Sequence, residues 1–442
     1  MRRSYFYKIF VLWCFLSKER TMKNISQYVG KYMIKWLAVA ALVGIGGGIS
    51  AAALNSLIDY VRQISNNFHI GLTPLIGGIL VSAICLWDRS SAGFGTDIYI
   101  NEANEHTGKL KIKTLFSKLT ATAITLGFNG SGGVTGPMLV MGGSMADVVL
   151  KIPYFNKKFT KDDIRLLTIC GAAGGVGAIL RSPLGGGIFV VEILYRSSLH
   201  YGDLFPAMLS STMGFVVYSM LSSSAPLFII QDVLPEAINI PLVVLTGILA
   251  GAISLVFMNM FFGIKRIFDK LPFKEIHPAL GGAVTGFLLL IIPHVGGKGN
   301  SMIQEIIDVE FPILFLILLL IGKMVATSAT VASGGSAGLV IPSLFIGALV
   351  GSCISTLLPS SAIGMSSILI ITGMAACLAS LANVPVAAAV MLVEMGGMHL
   401  GVPAILGSII GYAVGHSRVI YGINAPDKWQ FERIRSWEKG ND

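Results

Sequence analysis

The sequence predicts an all-α polytopic membrane protein built from two repeats of opposite topology. Three observations carry that reading: an apolar composition, an internal duplication, and an uneven placement of Lys and Arg. Of 442 residues, 54% are hydrophobic and 12% charged, with a mean hydropathy of +0.75. Soluble domains carry about 25% charged residues. Trp36 to Leu57, Ile70 to Trp87 and Ile240 to Ile264 approach or exceed the roughly 20 residues that cross hydrocarbon. A further run opens at Phe311 to Ile321. The net charge of +9 lies in short loops, so the expected surroundings are a lipid bilayer and no nucleic acid.

Taken in order, residues 1–29 start basic and pass through a short apolar stretch that imitates a signal peptide. Lys8 interrupts the run and no small-residue cleavage site follows, so this part is read as a cytoplasmic or interfacial segment. Met22 is an alternative start. Residues 30–225 form the first repeat and 226–415 the second. Residues 416–442 hold a last helix with Tyr421 and a short cytoplasmic tail.

The duplication shows as "GAAGGVGAILRSPLGGGIFVVE" (171–192) aligned without a gap on "GMAACLASLANVPVAAAVMLVE" (373–394), an offset of 202. Pro183 meets Pro385, and Glu192 meets Glu394. At the same offset Ser131, Gly132, Gly133 and Gly136 meet Ser333, Gly334, Gly335 and Gly338. "GGISAAALN" (47–55) matches "GAISLVFMN" (251–259) at an offset of 204. Three blocks in one order mark a repeat.

Orientation follows from the cations. The first repeated helix comes after Lys23, Lys31 and Lys35, whereas its counterpart near 240 follows a loop without basic residues and ends at "KRIFDKLPFK". Basic loops stay in the cytoplasm, so the halves are inserted oppositely and both termini are cytoplasmic. Inverted repeats place a transport site near the midplane between the halves.

"SGGVTGP" (131–137) and "SGGSAGLVIP" (333–342) each precede a short apolar helix, expected over Met138 to Leu150 and Pro342 to Leu357. A helix start carries unpaired amides and about half a positive charge. Inside a membrane those donors need an acceptor. Glycine lets the backbone approach a dehydrated anion closely. Packing or kinking of helices is the alternative use of such glycines.

At these motifs the sequence resembles the CLC chloride channel and transporter family, over about residues 30–425. "GFGTD" (93–97) is similar to the family's G-S-G-I-P, "GVTGP" (133–137) to G-[K/R]-E-G-P, and "GLVIP" (338–342) to G-x-F-x-P. "RVIYGI" (418–423) is similar to the tyrosine-bearing last segment. The resemblance implies a homodimer with one anion pathway per subunit. It implies contacts to chloride or a similar anion from the amides of Gly133, Val134, Thr135 and Gly136, from those of Leu339 and Val340, and from the Tyr421 hydroxyl.

The departures from the family pattern bear on mechanism. Thr135 stands at the gate position, where the family carries a glutamate that occupies the ion site when ionised. Ile193 stands where proton-coupled members carry an internal glutamate. Phe94 replaces the serine that touches the inner anion, and Val340 replaces an aromatic. Phe94 either fills space or narrows the inner mouth with its ring edge toward the ion. Thr135 is expected to cap its helix, to touch the ion, or both.

Glu192 and Glu394, both nine residues after a proline, are expected to bond loop amides or to serve as a proton relay. Glu102 belongs to a polar stretch read as solvated, and is the third titratable candidate. Asp97 and His106 lack metal-site spacing. The five cysteines show no CxxC pair and are read as packing residues. No P-loop, zinc spacing or nucleophile–base pair indicates an enzyme, and no cofactor is expected. The expected function is passive, proton-uncoupled transport of a small monovalent anion in a bacterial inner membrane. The alternatives are a coupled antiporter using another carboxylate, and a CLC-fold protein that does not transport.

Overall fold

The computed structural model describes residues 2–104, 110–152, 159–195, 199–230, 239–358 and 364–421. Glu105, His106 and residues 422–442 lie outside the described residues. The first half contains α1 (Arg2–Ser65), α2 (Thr73–Trp87), α3 (Thr96–Asn104), α4 (Ile112–Gly127), α5 (Thr135–Gly143) and α6 (Met145–Leu150). It continues with α7 (Lys161–Ile179), α8 (Pro183–Glu192) and α9 (Tyr201–Leu221). The second half contains α10 (Ile240–Lys270), α11 (His277–Ile291), α12 (Asn300–Asp308), α13 (Ile313–Ala332) and α14 (Val340–Ser355). It closes with α15 (Met365–Ala382), α16 (Pro385–Gly396) and α17 (Gly401–Gly415). The apolar part of α1, Ile34–Ser65, is long enough to cross a membrane.

Helices α4 and α13 end alike for a local reason. Asn129 has φ +58° and Gly334 φ +105°. Those left-handed residues turn the chain so that the Gly130 amide donates to Thr125 O at 2.8 Å and Gly335 to Thr330 O at 2.9 Å. Each chain then starts a new, shorter helix, α5 or α14. Every residue of α5 is buried.

Reciprocal contacts define a two-fold relation between the halves. Ser131 N donates to Thr330 Oγ1 at 3.1 Å, and Ser336 N to Thr125 Oγ1 at 3.1 Å. The Ser131 and Thr327 hydroxyls pair at 2.9 Å, as do those of Ser336 and Thr122. Such exchange, with i on j and j on i, is what two-fold symmetry produces.

These contacts correct the register read from sequence. Around the S-G-G motifs the structural offset is 205, not 202: Gly133 stands opposite Gly338, and Thr135 is matched by Val340. The 202 offset holds later, where α8 and α16 begin at Pro183 and Pro385. The three-residue slip falls between α6 and α7 in one half and between α14 and α15 in the other. In a glycine-rich stretch, several shifts match nearly as well, and only the contacts decide.

Candidate functional site

The two S-G-G loops meet. Gly133 N donates to Gly338 O at 2.7 Å and Gly338 N to Gly133 O at 2.6 Å, an isolated antiparallel bridge. No side chain fits there: a Cβ on Gly338 would lie 2.7 Å from Gly136 N, and one on Gly136 would lie 2.2 Å from Phe94 O. Three loops, those of Phe94, Thr135 and Val340, therefore come together deep in the protein.

Helix α5 starts at Thr135 and α14 at Val340. Their N-caps, Val134 and Leu339, have no side-chain cap bond. The first-turn amides cannot be satisfied by the helix itself, and the positive dipole ends of both helices face the junction. Capping by Thr135, expected from sequence, is not seen. Thr135 sits one residue inside the helix, and its Oγ1 is buried without a hydrogen-bond partner. The Tyr421 hydroxyl is likewise buried, facing the Leu339 amide without closing a well-formed hydrogen bond. A buried hydroxyl without a partner costs about 1–3 kcal/mol, and both of these are left without one.

The Phe94 ring lies 5.6 Å from that of Tyr421 and 6.1 Å from that of Phe261, and the residue is buried. Gly93 (φ +67°) and Gly95 (φ +80°) flank it in a tight loop. Tyr421 also lines a cavity of about 540 Å³, together with Ile193, Glu192, Asn383, Arg266 and Arg418. Arg418 Nη1 donates to Asn259 Oδ1 at 2.5 Å on its wall.

Two lysines escaped the sequence reading. Lys118 in α4 and Lys323 in α13 are fully buried. Lys118 Nζ donates to the carbonyls of Ser91, Ala92 and Gly93 at 3.0, 3.2 and 2.7 Å. Lys323 Nζ donates to those of Val295 and Gly297 at 3.0 and 3.3 Å and lies 5.0 Å from the Phe345 ring centroid. Among the described residues neither has a carboxylate within 4.0 Å. Each pins a loop beside the junction. They are 205 apart, so the corrected register was the signal that would have found them.

Glu192 and Glu394 occupy different ground. Glu192 accepts from Val386 N at 3.1 Å and Ala387 N at 2.7 Å, at the start of α16. Glu394 accepts from Leu184 N at 3.0 Å, Gly185 N at 2.8 Å and the Ser182 hydroxyl at 2.6 Å, at the start of α8. Each carboxylate ends a helix in one half and caps the matching helix of the other. Glu102 lies half-buried in α3, which contributes no residue to the cavity.

Comparison with known proteins agrees with this fold. The profile of the family described as voltage gated chloride channel matches residues 86–416. An uncharacterised protein of Methanocaldococcus jannaschii is 32% identical over 405 residues, covering 90% of this chain and 98% of that protein. The voltage-gated ClC-type chloride channel ClcB of Escherichia coli is 26% identical over 401 residues, covering 85% and 94%. Among solved structures, a slow cyanobacterial Cl⁻/H⁺ antiporter superposes with a TM-score of 0.76 at 21% identity, covering 92% and 99%. A CLC-type fluoride/proton antiporter superposes at 0.78 and 18% identity, covering 89% and 98%.

Proposed function

This chain belongs to the voltage-gated chloride channel (CLC) family, and on that premise we propose that it carries a small monovalent anion, chloride first, passively and without proton coupling. The observation that carries the reading is the pair of helix starts at Thr135 and Val340 without a cap bond from Val134 or Leu339, with the orphan hydroxyls of Thr135 and Tyr421 and, among the described residues, no carboxylate bonded to either start. An anion there accepts from free amides and from Thr135 and Tyr421, in a site where preorganised donors need no rearrangement. A proton-coupled cycle needs a group that trades charge with the anion. Thr135 and Ile193 have none to trade. The pathway runs from the Thr135 end, past the bridge, to Tyr421 and the cavity at Arg418. Phe94 narrows that last step.

We propose further a homodimer with one pathway per subunit, in a bacterial inner membrane with both termini cytoplasmic; family membership supports the dimer, and the basic residues at the cavity end support the orientation.

One observation favours a second reading. Glu192 touches both the cavity and a helix start, so it is the carboxylate best placed to carry a proton if coupling exists. The test is efflux of chloride, nitrate and fluoride from liposomes holding the purified protein, with internal pH recorded. Passive transport gives anion flux without proton uptake when charge is compensated. Proton movement against its gradient, driven by chloride and abolished by Glu192→Gln, would replace the first reading with the second.

A further inference from the structure

The repeat relation assigns a partner to three residues at the cavity end. Asn259, Arg266 and Asn383 line the cavity. Their repeat mates are Asn55 and Arg62, at the 204 offset of α1 and α10, and Arg181, at the 202 offset of the later block. Arg181 and Asn383 share a left-handed backbone, φ +53° and +59°. Phe94 has a mate as well. Its loop, with positive φ at Gly93 and Gly95, is repeated 204 residues on by Gly297 (φ +61°) and Gly299 (φ +89°), which places Lys298 where the other half has Phe94. One end of the pathway thus has an aromatic side chain where the opposite end has an ammonium.

These mates gather in space. Lys298 Nζ donates to Asn55 Oδ1 at 2.8 Å. Arg62 Nη2 lies 2.9 Å from where a Cβ on Gly297 would stand. Burial pushes the Lys298 ammonium below its ordinary value; Asp59 opposes this, while Arg62 and Arg181 push the same way, so all three lie within electrostatic reach. Asp59, held by Asn55 Nδ2 at 3.3 Å, is the acid among them. No carboxylate lies within 4.0 Å of Lys298, Arg62 or Arg181 among the described residues. Arg181 Nη1 donates to Ala225 O at 2.8 Å and to Pro226 O at 3.4 Å, while its buried Nε has no partner. The cluster borders the pathway: Gly132 N donates to Gly297 O at 3.3 Å, three residues before Thr135.

We propose that Lys298, Arg62 and Arg181 form a second anion site, at the end of the pathway opposite Tyr421, that takes the small monovalent anion from solution and passes it to the Thr135 helix start. The site rests on the transport reading for its purpose but not for its chemistry. Three cations against one carboxylate, on a surface of low polarity, concentrate a monovalent anion. In this chain Val134 occupies the position where the resembling motif carries Lys or Arg, and Lys298 supplies a cation from the other half.

The test uses the full chain, purified in detergent and in liposomes, with chloride as probe. Lys298→Met raises the half-saturating chloride for efflux about threefold or more, and the gap from wild type closes as chloride is raised. Impermeant salt then slows the variant less than the wild type. Arg62→Gln does the same to a smaller extent, and Lys298→Arg restores the wild-type curve. Calorimetric titration with chloride shows the same weakening without reliance on flux. Identical half-saturation and identical titration curves for wild type and Lys298→Met overturn the site and leave passive transport standing. A wild type that binds chloride in a Lys298-dependent way but moves none retires transport and leaves the site. A wild type that binds no chloride overturns both.

Discussion

Two pairs of helices start inside this protein, and they are treated in opposite ways. The starts of α8 and α16 each receive a carboxylate from the other half, Glu394 and Glu192, in charge-assisted hydrogen bonds of 2.6 to 3.1 Å. The starts of α5 and α14 have no cap bond from Val134 or Leu339 and, among the described residues, no hydrogen bond from a carboxylate. A third start, that of α7 near the surface, caps itself: Thr160 and Asp163 form a capping box, with Lys35 Nζ 2.6 Å from Asp163. The chain therefore has the means to fill an internal helix start with a fixed anion. Where it does not, the proposed transport reading has a mobile anion complete the donors.

The largest expected effect comes from abolishing the difference. Thr135→Glu places a tethered carboxylate at the bare start, and anion efflux at pH 7 falls at least about tenfold, in keeping with a charge competing at a dehydrated site. The sign with pH follows: above the carboxyl's pKa, ordinarily about 4.3, the ionised side chain blocks, and flux recovers as pH falls and the side chain is protonated. Efflux rates across pH 4 to 8 check this. A Glu variant as fast as wild type at pH 7 would take Thr135 off the pathway.

Next comes the reverse change. Glu394→Gln turns an acceptor-only group into one whose amide nitrogen faces backbone donors, and costs about 1.5–3 kcal/mol of stability. Thermal unfolding in detergent reads the loss, and anion selectivity in the folded fraction stays as in wild type. Tyr421→Phe removes one hydroxyl donor to the anion and weakens chloride binding about three- to tenfold, as expected for a single hydrogen bond of about 1 kcal/mol, measured by chloride titration. The smallest effect belongs to the self-capped start. Burial raises the Asp163 carboxyl, but its bonds to Lys35 and Thr160 outweigh burial and hold it below the usual range. Its stabilisation is therefore present above about pH 4 and lost as pH falls through the depressed value. The pair is partly exposed, so Asp163→Asn costs under about 1 kcal/mol at pH 7, and less as pH falls through the depressed value.

Much of this comparison was legible in the sequence, for physical reasons that differ by residue. Glu192 and Glu394 stand out because a carboxylate in an apolar run is rare and each follows a proline at one spacing. Their caps could then be expected, though not that each would reach across to the opposite half. The S-G-G motifs announced helix starts, yet glycine repeats match themselves at many shifts, which is why the register was three residues off. Thr135 was expected to cap because threonine commonly does so; the chain instead turns one residue earlier, at Val134. Lys118 and Lys323 went unread because a single lysine in a helix resembles a boundary, and only the paired loops of carbonyls explain their burial. Lys298 lay in a loop, where a lysine draws no attention until Phe94 is seen to be its mate.

The two hydrogen bonds between Gly133 and Gly338 also limit how the molecule can work. Many inverted-repeat carriers rock one half against the other around a fixed site. Here a seam of backbone runs through that fulcrum, reinforced on either side by the crossed Ser–Thr and carboxylate contacts. Swinging the halves apart would tear it. Whatever opens and closes the route must then be small: an aromatic ring turning aside, or a hydroxyl changing its aim, within a scaffold that stays shut.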